Sequence, residues 1–376
     1  MISLDIYRSR HRKIREHLEK RGVEAVLITS AANIAYVTGF HGLSPHEREA
    51  VAMVTHRDVF LFLPAMYQEQ GNRINTVRDG IVTCLVDQER DGLLTMFRSR
   101  VPESAALIFE EDNLSVAEYR LLSSYKEHRW KPAGRLFSSM RMKKDAGERK
   151  ILKDVVARTD AVFTGLVAYL AKEGYEGKTE CDIVELLRKL GRDQELTTFS
   201  FDPIVAAGTG SSEPHYRTGL TKLEAGMPLL IDFGFTKNGY HSDLTRTIFL
   251  GTTTPEFRKH YRVVLECNKR AIQSCRAGGI SAGELHSRAV DFFAKEGLSE
   301  YFIHGLGHGV GLEIHEEPFF RKTRPVLLES GMAVTIEPGI YFPGKYGIRI
   351  EDFVLLTDTG AEVLSHSSNK ELIEIP

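Results

Sequence analysis

Apolar residues fall into two different rhythms along this chain. Ile6, Ile14 and Leu18 stand among charged neighbours at helical spacing, so the opening stretch reads as one amphipathic helix. VEAVLITS (23–30) then reads as a buried strand. VAMVT and VFLFLP flank His56-Arg57-Asp58 as a hairpin. IVTCLV and ALIFEE are two more strands, and a helical pattern at 115–126 follows the second. Strands alternating with helices predict an open α/β domain over residues 1–132, closing near Trp130 to Pro132. Asn33 and Tyr36, in SAANIAYVTGF, are assigned to a helix start and to packing.

The stretch KPAGRLFSSMRMKKDAGERK changes character, and its basic cluster reads as a solvated face or a domain joint. A second domain, 140–376, opens with a long amphipathic helix at about 145–172. Three further helix starts carry capping signals: Thr179 with Asp182, Thr253 with Glu256, and Ser281 with Glu284. Between and after them lie the strand segments PIVAAG, PLLIDFGF, HSDLTRTIFL, AVTIEPGIYF and YGIRIEDFVLL. Helices outside an antiparallel sheet predict an α+β layout.

Composition narrows the function. Lys+Arg 49 against Asp+Glu 51 leaves a net charge of −2, which gives no electrostatic reason to expect nucleic acid or an anionic membrane as partner. The four cysteines, Cys84, Cys181, Cys267 and Cys275, form no CxxC pair, so a disulfide framework or thiolate metal site is not expected. The N-terminal stretch is crowded with charge, and no run approaches the roughly 18 apolar residues of a membrane span. The expectation is a soluble, cytoplasmic protein.

Carboxylates inside apolar strands are the informative chemistry, because an unpaired buried charge is costly. In LLIDFGFTKNGYHSDLTRTIFL, Asn238-Gly239 predicts a two-residue hairpin loop. Counting outward, Lys237 faces Tyr240, Gly234 faces Asp243, and Asp232 faces Thr245. Asp232 and Asp243 then share a face, with Gly234 expected to leave open space between them. Glu337 ends AVTIEP, and Glu351 lies in YGIRIEDFVLL, with Ile348 and Ile350 on the other face. Arg349 shares the face of Glu351 and is expected to grip that carboxylate; Asp352 points away. In YFIHGLGHGVGLEIHEEP, glycines at 305, 307, 309 and 311 argue against a helix and are expected to let backbone approach an ion or substrate. His308 is the ligand candidate there, while His304, His315 and the more distant His215 suit substrate contact or proton transfer. His241, beside the hairpin turn, is assigned no role. Four acids and one imidazole accept Mn(II), Co(II), Fe(II) or Zn(II) alike, with Mn(II) the expected ion, and bridging carboxylates suggest two ions.

The pattern IDFG…HSDLTRT…HGLGHGVGLEIHEEP…TIEPGIY…RIED resembles the creatinase/aminopeptidase ("pita-bread") metallopeptidases, and most of all their Xaa-Pro dipeptidases (prolidases) and Xaa-Pro aminopeptidases. SAANIAYVTGF resembles their N-terminal creatinase-like domain. The resemblance implies that Asp232, Asp243, His308, Glu337 and Glu351 hold two metal ions, with Asp243 and Glu351 bridging both. It implies a bridging hydroxide that attacks an Xaa-Pro bond in short peptides, with Glu337 moving the proton. His215 and His315 would steady the carbonyl and the tetrahedral intermediate, His304 would line the proline side, and Arg349 matches the arginine before the last ligand. A homodimer is implied as well. Which residue meets a free substrate carboxylate stays open among Arg321, Arg324 and Arg349.

Three other readings compete. A metal-independent, creatinase-like hydrolase of a small C–N substrate would not need all five ligands. A non-catalytic binding protein on the same scaffold would be expected to show damage at them. A di-iron redox protein would carry Glu-x-x-His pairs, and no histidine here has Glu three residues before it.

Overall fold

The computed structural model describes residues 2–44, 47–87, 92–125, 128–323, 325–365 and 370–376. The chain divides into two compact units, Met1–Arg141 and Met142–Pro376.

In the first unit the helix Leu4–Arg21 buries Ile14 and Leu18 and ends on Gly22, whose φ of 59° closes the last turn. The sheet runs Thr83–Asp87, Val59–Pro64, Val51–Thr55, Ala25–Ile28, Ala106–Phe109, Arg129–Pro132 in spatial order. Val51–Thr55 and Val59–Pro64 form the expected antiparallel hairpin, while Ala106–Phe109 lies parallel to both its neighbours. Asn33 sits in the helix Ala31–Thr38, capped by Ser30, and donates its side-chain amide to Glu110. Tyr36 packs its ring beneath the Arg10 guanidinium at 3.8 Å. Both have the structural roles expected of them.

The second unit is α+β. Capping boxes at Asp145, Thr179 and Ser281 start the helices Ala146–Glu173, Glu180–Asp193 and Ala282–Lys295. The remaining long helix, Pro255–Ser274, starts one residue later than expected. Thr254 caps Phe257 and Pro255 takes the first helical position, while Thr253 hydrogen-bonds Glu374. One sheet has the order Glu374–Ile375, Leu244–Leu250, Met227–Phe233, Ile204–Ala207. Another has Glu316–Phe319, His308–Gly309, Ala333–Ile336, Asp352–Thr357, Gly360–Val363. Helices Pro255–Ser274 and Ala282–Lys295 bury Phe257, Leu285 and Phe293 in one core with Ile336, Ile348 and Ile350.

Two expectations need correction. The basic cluster before the long helix is not simply solvated: Arg141 and Lys144 are buried, and Lys144 Nζ lies 2.6 Å from the buried Glu316 carboxylate. AVTIEPGIYF and YGIRIEDFVLL are also not continuous strands. Ala333–Ile336 and Asp352–Thr357 pair in the five-stranded sheet, whereas Gly339–Phe342 and Tyr346–Arg349 pair with each other. Pro338 offers no N–H to continue a ladder. Glu337 donates its amide to Leu306 and Glu351 its amide to Thr245, so both chains step from one sheet to another at these carboxylates.

Candidate metal centre

The hairpin register is the one counted from Asn238-Gly239. Both loop residues have positive φ, 52° and 80°, as a type I′ turn requires. Lys237 pairs with Tyr240, and Asp232 with Thr245. Between those pairs the ladder is interrupted. The Phe235 amide is bonded by the Ser242 hydroxyl, and the Ser242 carbonyl is taken by the Ser200 hydroxyl. Gly234 therefore serves a different purpose from the one expected: a β-carbon there would sit 1.8 Å from the Ser242 carbonyl oxygen. Glycine admits close backbone approach next to Asp243, rather than space between carboxylates. Gly307 and Gly309 act alike, since β-carbons there would meet the Thr335 and Glu317 carbonyls at 2.1 and 2.3 Å.

Asp243, His308 and Glu351, all buried, each place one ligand atom so that the three lie within 4.8 Å of one another. His308 Nε2 is 3.6 Å from Asp243 and 3.4 Å from Glu337. His308 Nδ1 lies 3.1 Å from the Gly309 carbonyl, which can only accept, so the proton sits on Nδ1 and the Nε2 lone pair faces carboxylate oxygens. Burial pushes this imidazole down to about 3, so it stays neutral. Asp232 gives Oδ2 to Arg349 at 2.6 Å, while its buried Oδ1 has no hydrogen-bond partner among the described residues.

Burial, then the neighbouring carboxylates, raises Asp243 and Glu351 well above the ordinary carboxylate range. Glu337 is pushed up to about 7 by burial, against the pull of Arg349. An imidazole lone pair and several carboxylates brought this close, with donors on only some of their oxygens, are the arrangement a divalent cation resolves. Asp243, His308 and Glu351 meet that condition together, Glu337 approaches His308, and Asp232 lines the same cavity.

These five line a cavity of about 510 Å³ together with His215, His304, His315, Arg321 and Arg349. Asp243, His308 and Glu351 form its buried floor, while His215, His315 and Arg321 are exposed. The His308 and His315 rings meet edge to face at 4.4 Å. Arg349 does not grip Glu351 as expected. It reaches across the strands to Asp232, and Nη1 donates to the Tyr341 hydroxyl at 2.7 Å. That hydroxyl lies 3.0 Å from His304 Nε2. Asp352 turns away to Arg246 and Lys370. His241 bonds Thr236, outside the cavity lining. Arg324 falls outside the described residues.

Thr245 and Tyr341 were not anticipated. The Thr245 hydroxyl donates to Glu351 at 2.8 Å and accepts from Arg349 Nε at 3.1 Å. Register alone placed Thr245 beside Asp232, and that was its available signal; for Tyr341 the sequence offers none.

Residues 150–358 match the model of metallopeptidase family M24, more than half of the chain. The chain belongs to metallopeptidase family M24. Residues 10–143 match the creatinase/prolidase N-terminal domain, so the two-part organisation is that of a creatinase-like domain followed by an M24 pita-bread domain. The Xaa-Pro dipeptidase of Pyrococcus horikoshii is 31% identical, covering 98% of this chain and 100% of that protein. The solved Xaa-Pro dipeptidase of Bacillus anthracis superposes with a TM-score of 0.88 at 30% identity, over 98% of this chain and 99% of the other. The X-Pro aminopeptidase of Thermotoga maritima gives 0.86 at 28%, over 97% and 99%. Among the described residues of this M24 protein no helix is long and apolar enough to cross a membrane.

Proposed function

We propose that this M24 peptidase hydrolyses the Xaa-Pro bond of dipeptides, using two divalent ions held by Asp232, Asp243, His308, Glu337 and Glu351. The observation that carries the reading is the convergence of acids and a neutral imidazole lone pair on the cavity floor. Mn(II) is the first choice for so oxygen-rich a set with one imidazole. Ions bound there supply an acidified water and a polarised carbonyl.

The chain's own groups do the rest. Glu337, on the cavity wall beside His308, would take a proton from the attacking water and return it to the proline nitrogen. His215 and His315 face the opening, where they donate to the scissile carbonyl as negative charge develops. His304, held by Tyr341, borders the proline side. An imide nitrogen has no N–H to offer, so recognition through the carbonyl is the contact left to use.

Arg321 favours the dipeptidase over the aminopeptidase reading. It lines the cavity and is exposed, whereas Arg349 is committed to Asp232 and Tyr341, so a free proline carboxylate would meet Arg321. Arg321→Met should raise KM for an Xaa-Pro dipeptide by on the order of tenfold and leave Xaa-Pro-amide unchanged. Equal effects on both substrates would refute that assignment.

The reading includes a homodimer, which light scattering tests. The activity itself is tested by chelation followed by Mn(II), and by Asp243→Asn. Chelation should abolish Xaa-Pro hydrolysis and Mn(II) restore it; Asp243→Asn should lose both turnover and bound metal. Full activity in the chelated protein would favour the creatinase-like alternative.

A further inference from the structure

Glu351 stands where the chain leaves one sheet for another, so neither ladder fixes it. A residue at such a step lacks the hydrogen bonds of either ladder, yet its carboxylate must stay near Asp243 and His308. What holds it is a consecutive pair on the strand Leu244–Leu250, whose side chains point to opposite faces.

Thr245 works from the cavity side. Its carbonyl accepts the Glu351 amide at 3.1 Å, and its hydroxyl donates to Glu351 Oε2 at 2.8 Å. The same hydroxyl accepts from Arg349 Nε, and Arg349 in turn holds Asp232. Two of the carboxylates are thus referenced to one hydroxyl. Arg246 works from behind, fully buried, with Nη1 donating to the Glu351 carbonyl and to the Thr245 carbonyl. Its Nη2 pairs with Asp352 at 2.9 Å, and Asp352 also receives Lys370 at 2.7 Å. Burying a guanidinium and a carboxylate in this way gains little stability over apolar residues of the same size. What it does supply here is fixed geometry: amide, carbonyl and carboxylate of Glu351 are each held by a separate bond.

We infer that Thr245 and Arg246 are positioning residues that clamp Glu351 from both faces of the strand and set the affinity of the centre for its cation. The inference rests on the metal-centre reading proposed above. If that reading fails, the wild-type protein binds no Mn(II); if only the clamp fails, wild type binds and the variants bind equally well.

Mn(II) titration calorimetry on the chelated full-length protein separates the outcomes, with Thr245→Val, Thr245→Ser and Arg246→Lys. Thr245→Val keeps shape but loses the hydroxyl, and should weaken Mn(II) by about 10–100-fold, as loss of an outer-shell partner does. Thr245→Ser restores the hydroxyl and should stay within a fewfold of wild type. Arg246→Lys keeps a cation beside Asp352 but cannot span to the Glu351 carbonyl, and should weaken Mn(II) at least tenfold with the melting temperature nearly kept. In each weakened variant at saturating Mn(II), kcat should fall with KM unchanged. Wild-type affinity in Thr245→Val, or equal weakening in Thr245→Ser, would overturn the role of Thr245. Wild-type affinity or global unfolding in Arg246→Lys would overturn that of Arg246.

Discussion

Replacing Glu337 by Gln in the metal-free protein isolates the electrostatic load of the centre. Glu337 is displaced from its ordinary 4.5 to about 7, first by burial and then by Asp232, against the pull of Arg349. At roughly 1.4 kcal/mol per pH unit, keeping it ionised in the folded state costs about 3 kcal/mol. The sign follows from linkage. A carboxyl whose folded pKa is raised binds its proton more tightly folded than unfolded, so stability falls as pH rises from about 4.5 to 7 and stays low above. Gln carries no such load, and the side chain's Thr335 contact, at 3.4 Å, is one an amide oxygen can keep. Metal-free Glu337→Gln should therefore exceed wild type by about 3 kcal/mol at pH 8 and match it near pH 4.5. The comparison must be a difference. His304 and His308, both held down to about 3 by burial, lose stability as pH falls below 6.5 and mask the trend in wild type alone. Urea denaturation followed by far-UV circular dichroism is the assay, because the single tryptophan, Trp130, reports only the first unit. A gap that is the same at pH 4.5 and pH 8, or a variant less stable at pH 8, would refute the reasoning. With metal bound the sign should reverse, since a ligand is lost.

Gly234→Ala forces the Ser242 backbone away from a contact of 1.8 Å beside Asp243. It should cost about 1–3 kcal/mol in stability and on the order of 100-fold in kcat/KM, read by denaturation and dipeptide hydrolysis; normal activity would count against a tight backbone approach there. Lys144→Met removes the ammonium from the buried Glu316, next to His315, and should destabilise by about 3–5 kcal/mol, with Lys144→Met/Glu316→Leu recovering much of it. Tyr341→Phe breaks the chain from Arg349 to His304, and should lower kcat/KM for Xaa-Pro dipeptides by on the order of tenfold while Mn(II) affinity holds. An equal loss of metal affinity would place Tyr341 with the ligand supports instead.

Local rules made much of this molecule legible in advance. Asn238-Gly239 fixed the hairpin register, and with it the pairing of Asp232 with Thr245, because a two-residue loop needs positive φ at both positions. Capping residues mark two helix starts to the residue, at Thr179 and Ser281, and at the third Pro255 moves the start from Thr253 to Thr254. Acids inside apolar strands pointed to the centre, since an unpaired buried charge is costly.

Other features depend on which distant segments meet. Period-two alternation puts Arg349 on the face of Glu351, but once Ile350 and Glu351 step between sheets, the guanidinium reaches Asp232 instead. The glycines at 234, 307 and 309 reveal their function only against the carbonyls of Ser242, Thr335 and Glu317. Lys144 looks solvated until Glu316, far along the chain, is folded onto it. The sequence by itself determined which groups carry charge and which strands they ride on, because hydrophobic rhythm and turn chemistry act over a few residues. Tertiary structure alone decided that Arg349 holds Asp232, that Lys144 holds Glu316 and that Glu351 leaves its ladder for Thr245, because each of those contacts joins residues more than a hundred positions apart.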